Sequence, residues 1–302
     1  ILNLKGIFSD RSPLFKVFLL LALLFTSFFL HHLVALGIIS LLFENGYNLF
    51  FSYDLDSQTS VNILKIIQFF SAVGTFISPI ITYGYLTNFQ FGFNKKFNRQ
   101  TALLSVGTII IVTPFVSFLI EQSMLIDFPE WMKKFDKDSE TIVLAFLKMN
   151  NLSDLMFNLL VMAIVPAIGE ELFFRGFIQN TFLDFFKNSH LAIIFTSILF
   201  SLIHFDLVGF LPRFFLGAIL GYMFFISKSL WIPILAHFIN NAMAVIISYP
   251  YFKSFDFVQT YNHYSESALP STSISVALFS LISVLLLLYL MNSSSDKEKV
   301  QY

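Results

Sequence analysis

The sequence contains no cysteine. Disulfides, thiolate catalysis and cysteine-ligated zinc are therefore beyond these residues. Charge is scarce as well: 12% of residues are Asp, Glu, Lys or Arg, against roughly 25% in soluble domains. Net charge is −1, so there is no basic surface for nucleic acid, which is excluded as a partner. Neither a glycine-rich phosphate loop nor an internal repeat is present. Hydrocarbon takes the place of charge, with 56% hydrophobic residues and a mean hydropathy of +0.76. These values predict an all-α fold, a polytopic transmembrane helix bundle, with residues 1–302 forming a single integral membrane domain in the lipid bilayer.

Apolar runs of about 20 residues mark eight expected spans. They lie at about 15–43, 61–86 and 101–120, then from 152, and at 190–206, 209–227, 230–249 and 272–292. The first apolar run, behind Lys5, Arg11 and Lys16, is expected to remain as a helix and not to be a cleaved signal peptide. Within it, His31 and His32 are expected to be packed or hydrogen-bonded in the bundle, while Lys65 is expected to snorkel to the interface. With the first residues in the cytoplasm, one side of the membrane receives eleven Lys and Arg and the other six, which predicts both termini cytoplasmic. The longest loop, about 121–151, carries Trp131 between charges and reads either as an interfacial helix or as a solvated connection. Residues 292–302 are polar and expected to be a disordered tail.

The exception to this apolar pattern is Val165-Pro-Ala-Ile-Gly-Glu-Glu-Leu-Phe-Phe-Arg-Gly176. Ionisable groups inside a membrane are expensive and mark functional sites. No turn signal follows Gly169, so the helix is expected to run to about Phe186, loosened by Pro166 one turn before Glu170. Residues four apart share a face, so Glu171 and Arg175 can pair. Glu170 points about 100° away from that pair. It is left without a local partner in a low dielectric, where a carboxylate is poorly solvated and suited to exchanging a proton with water.

Two further helices carry Phe200-Ser-Leu-Ile-His204 and His237-Phe-Ile-Asn-Asn241. His237 and Asn241 share a face, with Asn240 expected to turn away from it. Carboxylate, two imidazoles and a carboxamide are groups that hydrolyse amides. Two mechanisms fit them. Glu170, His204 and His237 can hold a metal ion, zinc by donor type, with a water in the open position. Alternatively Glu170 and His204 activate a water without metal, while His237 and Asn241 donate to the oxyanion. A carboxamide is a poor zinc ligand, which favours an oxyanion role for Asn241. Gly217 and Gly221 form a smooth stripe for close helix approach. Arg213 reads either as an interfacial anchor or as a group that binds a carboxylate in the cavity. Measured from Lys187, His204 lies up to ~25 Å along its helix, so the short 206–209 connection is expected to sit within the bundle.

Taken in order and spacing, Glu170-Glu171-x-x-x-Arg175, Phe200-x-x-x-His204 and His237-x-x-x-Asn241 resemble the motifs of the CPBP intramembrane protease family. That family includes the type II CaaX prenyl endopeptidases and the bacterial Abi proteins. The resemblance covers about residues 152–249, the expected catalytic core. It implies an endopeptidase with a membrane-embedded site open to the cytosol, but it transfers no substrate, and prenylated substrates are not expected in most bacterial members. Separately, the expected location is the cell inner (plasma) membrane and the expected substrate a peptide or membrane protein. It also implies Glu170 and His204 as the central catalytic pair, supported by Glu171, Arg175, His237 and Asn241. The competing readings are a transporter or proton/metal relay built on the same cluster, and a non-catalytic membrane scaffold. A transporter is disfavoured because neither paired repeats nor two sets of broken helices occur.

Overall fold

The structure is a computed structural model describing residues 4–52, 54–95, 97, 99–253 and 272–300. Among these residues the regular elements are helical. The main ones are α1 (Pro13–Leu42), α2 (Gln58–Thr87), α3 (Arg99–Met124), α4 (Glu130–Phe146), α5 (Leu152–Phe186), α6 (Ser189–Leu202), α7 (Phe210–Ser227), α8 (Trp231–Ile247) and α9 (Ile274–Val300). Local chemistry sets several starts. The Ser12 hydroxyl accepts from Phe15 N–H, with Pro13 opening α1, and the Ser57 hydroxyl accepts from Ser60 N–H at α2. Asn151 caps α5, and Asn188 caps α6 by accepting from two backbone amides.

The eight expected spans all fall on helices. Six helices are long and apolar enough to cross a membrane; α6 and α8 are apolar but shorter, at 14 and 17 residues. Fourteen residues rise only about 21 Å, less than a hydrocarbon core of about 30 Å. The outer surface is itself apolar, with Phe25 66% and Phe279 73% exposed, as lipid-facing positions require. This is a multi-pass membrane helix bundle.

The main core joins α3, α7, α8 and α9 through Ile109, Val112, Met223, Ile232, Ala236 and Val284. A second core joins α2 and α5 to the 224–234 corner, through Ile80, Tyr83, Leu172, Phe177, Phe224 and Leu230. These two cores hold α5, α7 and α8 side by side. Gly217 and Gly221 set the spacing of α7. A Cβ at 217 would press on Phe200 and Ser197, and one at 221 on Gln179 and Ile193.

Two sequence expectations change, and of the two readings left open around Trp131 the helical one is found. Lys65 does not reach an interface: it is 0% exposed, with Nζ 5.7 Å from the centre of the Phe146 ring and no hydrogen-bond partner. The end of α4, at Ala145 and Phe146, packs on Val61 and Leu64 and covers it. The loop around Trp131 is helical from Glu130 to Phe146. Residues 292–300, expected as a disordered tail, continue α9 as helix, and 301–302 lie outside the described residues.

Candidate active site

The site is built on α5, which is continuous from Leu152 to Phe186, as its lack of a turn signal predicts. Its winding is uneven. Leu159–Ile164 and Leu172–Gln179 are π-helical, on either side of the α-helical Val165–Glu171 turn that carries Pro166 and Glu170. Proline 166 cannot donate a backbone hydrogen bond, and wider helical turns of this kind are frequent at functional sites.

The two glutamates have opposite surroundings. Glu171 is fully buried, and its Oε1 accepts from Arg175 Nη1 at 2.7 Å and from His237 Nδ1 at 2.8 Å. Arg175 continues the chain of bonds by donating Nη2 to the Gly217 carbonyl at 3.0 Å, with its guanidinium 4.5 Å over the Phe200 ring. Gln179, one turn on, donates to the Gly221 carbonyl at 3.0 Å. The glycines are thus more than a smooth stripe: their carbonyls hold α5, while their missing side chains leave room for Phe200 and Ser197 at 217 and for Gln179 and Ile193 at 221. Sequence reasoning could not find these carbonyl partners, since a carbonyl has no residue identity.

Glu170 has no such partners. Its Oε2 lies 4.0 Å from His204 Nε2 and 4.0 Å from His237 Nε2. Together these groups line a cavity of about 130 Å³ with Phe200, Arg213, Asn240 and Asn241. A gap of 4.0 Å is one that a single water closes, at about 2.8 Å from either side. The far nitrogen of each ring is fixed. His204 Nδ1 donates to the Phe200 carbonyl at 2.8 Å, and His237 Nδ1 donates to the Glu171 carboxylate. Both bonds put the neutral ring's proton on Nδ1 and turn a lone pair on Nε2 toward Glu170.

His204 reaches this position because α6 stops at Leu202. The chain turns back through Phe205 at φ 50°, and α7 begins at Phe210. Ser201 ties the corner by donating to the Phe210 carbonyl at 2.7 Å. Non-helical backbone inside a membrane is tolerated where it lines a cavity, and this corner brings His204 Nε2 to 4.0 Å from Glu170.

All six predicted site residues, Glu170, Glu171, Arg175, His204, His237 and Asn241, therefore come together, with Glu171 and Arg175 behind the cavity wall. Asn240 departs from expectation. Instead of turning away, it lines the cavity and donates Nδ2 to Asn241 Oδ1 at 3.1 Å, because both carboxamides fit one wide cavity mouth. That bond occupies the Asn241 oxygen and leaves its NH₂ for the cavity. Arg213, ambiguous in the sequence, also lines the cavity.

Zinc suits these donors by type, since two imidazoles and a carboxylate are its usual ligands. The spacing does not suit it. Tetrahedral zinc with bonds of roughly 2.05 Å draws its ligands to about 3.3 Å from one another, and Glu170 stands 4.0 Å from each ring. Among the described residues, no group of three His, Asp or Glu is close enough to hold an ion. As placed, the residues do not fit the metal, and the chemistry is read through water.

Residues 152–243 match the family model described as type II CAAX prenyl endopeptidase, Rce1-like; the chain is similar to that family over this segment, which carries Glu170, Glu171, Arg175, His204, His237 and Asn241. No curated protein and no solved structure matches the chain.

Proposed function

We propose that this protein hydrolyses a peptide bond of a membrane-associated substrate with a water activated by Glu170 and His204. The observation that carries this reading is the 4.0 Å gap between Glu170 Oε2 and two histidine nitrogens whose opposite sides are already anchored. Glu170 takes a proton as the water's oxygen adds to the scissile carbonyl. His204 Nε2 accepts the water's second O–H and aims its lone pair. Asn241 Nδ2 donates to the oxyanion, while the neutral His237 ring, held through Nδ1 by Glu171, lines the cavity beside it. The proton on Glu170 then passes to the leaving nitrogen as the C–N bond breaks.

An apolar groove of about 380 Å³ runs beside the corner, lined by Trp131, Leu199, Leu202, Phe205, Phe210 and, at its end, Asp206. Asp206 pairs with Arg213 of the cavity, so the groove lies next to the cavity, with this ion pair between them. This supports a substrate whose apolar part lies in the membrane and whose scissile bond reaches Glu170. A prenylated CAAX peptide, the substrate in the matched family's name, is the first candidate. The proposed location is the cell inner (plasma) membrane.

The test is cleavage of an internally quenched S-farnesylated CAAX peptide by the full chain in proteoliposomes, with products identified by mass spectrometry and metal content measured on the same sample. The expected result is a single endoproteolytic cut that survives chelation in metal-free protein. Activity that depends on stoichiometric zinc would replace the metal-independent mechanism.

A further inference from the structure

Deepening this reading and resting on it, we infer that Arg213 is a further catalytic residue, a permanently charged donor to the oxyanion. Few protons are available in the cavity to stabilise an oxyanion. Both neutral imidazoles spend theirs on Nδ1, on the Phe200 carbonyl and on Glu171, so their Nε2 atoms can accept but not donate. Asn241 then offers only one NH₂ group, and its neighbour Asn240 has already turned one N–H to it. A tetrahedral oxyanion held away from bulk water needs more than this.

Arg213 supplies the difference. Its Nη2 is committed to Asp206 Oδ2, while its Nη1 is buried and has no hydrogen-bond partner. A buried guanidinium nitrogen left unpaired is costly unless something arrives to use it. The seat is built for this side chain. Asp206 Oδ1 accepts from Gly209 N–H at 2.8 Å, which fixes the carboxylate. A Cβ at residue 209 would overlap both Arg213 Nη1 and Asp206 Oδ2, so only glycine leaves the guanidinium in place.

Charge decides what the Arg213 guanidinium, which lines the cavity, receives. Around the cavity stand three carboxylates, Glu170, Glu171 and Asp206, and two guanidiniums, Arg175 and Arg213. With neutral rings the excess is one negative charge. A resident substrate carboxylate would raise it to two in a low dielectric. An oxyanion does not, because it forms as Glu170 takes up the water's proton, and the total stays constant. The balance therefore favours a ligand that becomes negative only during the reaction.

The test compares wild type with Arg213→Gln and Gly209→Ala on the farnesylated peptide. Binding of a phosphinic analogue, whose anionic tetrahedral phosphorus copies the intermediate, is measured by calorimetry in parallel. Arg213→Gln is expected to lower kcat about 10²–10³-fold with KM within about two-fold, and to weaken phosphinate binding by a similar factor. Gly209→Ala, which displaces the guanidinium but keeps the charge, should lose kcat in part. Unchanged kcat in Arg213→Gln overturns the assignment. So does a loss confined to KM that vanishes when the peptide is C-terminally amidated, which identifies a carboxylate clamp. If wild type cleaves nothing, the protease reading fails. Arg213 is then judged by the phosphinate alone, and equal affinity, or no binding, in wild type and Arg213→Gln counts against it.

Discussion

Two pairs of histidines lie inside this bundle, and three of the four rings begin in the same way; the fourth, His237, gives its Nδ1 to Glu171. His31, His32 and His204 each donate Nδ1 to the carbonyl four residues earlier, at 2.8, 2.9 and 2.8 Å. The difference is at the other nitrogen. His31 Nε2 meets the Ser78 hydroxyl at 3.2 Å and His32 Nε2 meets Ser71 at 3.1 Å, so α1 is tied to α2 and both rings are satisfied. His204 and His237 instead face a carboxylate across 4.0 Å of cavity. The backbone anchor is common helix chemistry and carries no function by itself. An Nε2 held in place without a partner is what distinguishes a reactive ring from a packing one.

That contrast can be broken from either side. The largest effect is expected at His204. His204→Ala should lower kcat by about 10²–10⁴-fold while leaving the thermal transition of the purified protein close to wild type, because only one helix-local bond is lost. A fall in stability without a fall in turnover of the folded fraction would move His204 into the packing class.

Glu171→Gln comes next, and it should act mainly on the fold. Removing the charge leaves Arg175 buried and unpaired and takes the orienting carboxylate from His237. Breaking a buried pair of this kind costs about 3–5 kcal/mol, readable in denaturant or steric-trap unfolding. Unchanged stability would mean that the Gly217 carbonyl and Phe200 hold Arg175 unaided. Asn241→Ala should reduce kcat about 10²-fold, with little change in unfolding. The smallest effect belongs to the other pair. His31→Ala and His32→Ala should leave turnover within about two-fold and each cost about 0.6 kcal/mol, as interhelical hydrogen bonds in membranes do. A larger loss of turnover would show that α1 reaches the site.

The bundle and its polar centre were both legible in the sequence. Apolar runs located every main helix except α4, whose 17 residues include charges that hide it from a hydropathy count. Helical spacing paired Glu171 with Arg175 and isolated Glu170, because both follow from the turn of one helix. What spacing could not reach was the tie between helices. That Glu171 also holds His237, that Gly217 and Gly221 give their carbonyls to α5, and that Arg213 is seated by Asp206 and Gly209 all depend on contacts across the bundle. Asn240 was misjudged for a related reason: a helical wheel assigns a direction, but a cavity mouth spans more than one. Lys65 was misjudged because burial by α4 is a tertiary event.

The central claim is that two neighbouring glutamates divide the labour, Glu171 fixing the site and Glu170 working in it. Glu170→Gln tests this most directly, because it keeps the shape and removes only the proton acceptor. Cleavage of the farnesylated peptide should fall by at least about 10³-fold in a protein that unfolds like wild type. Undiminished cleavage by Glu170→Gln would contradict the account.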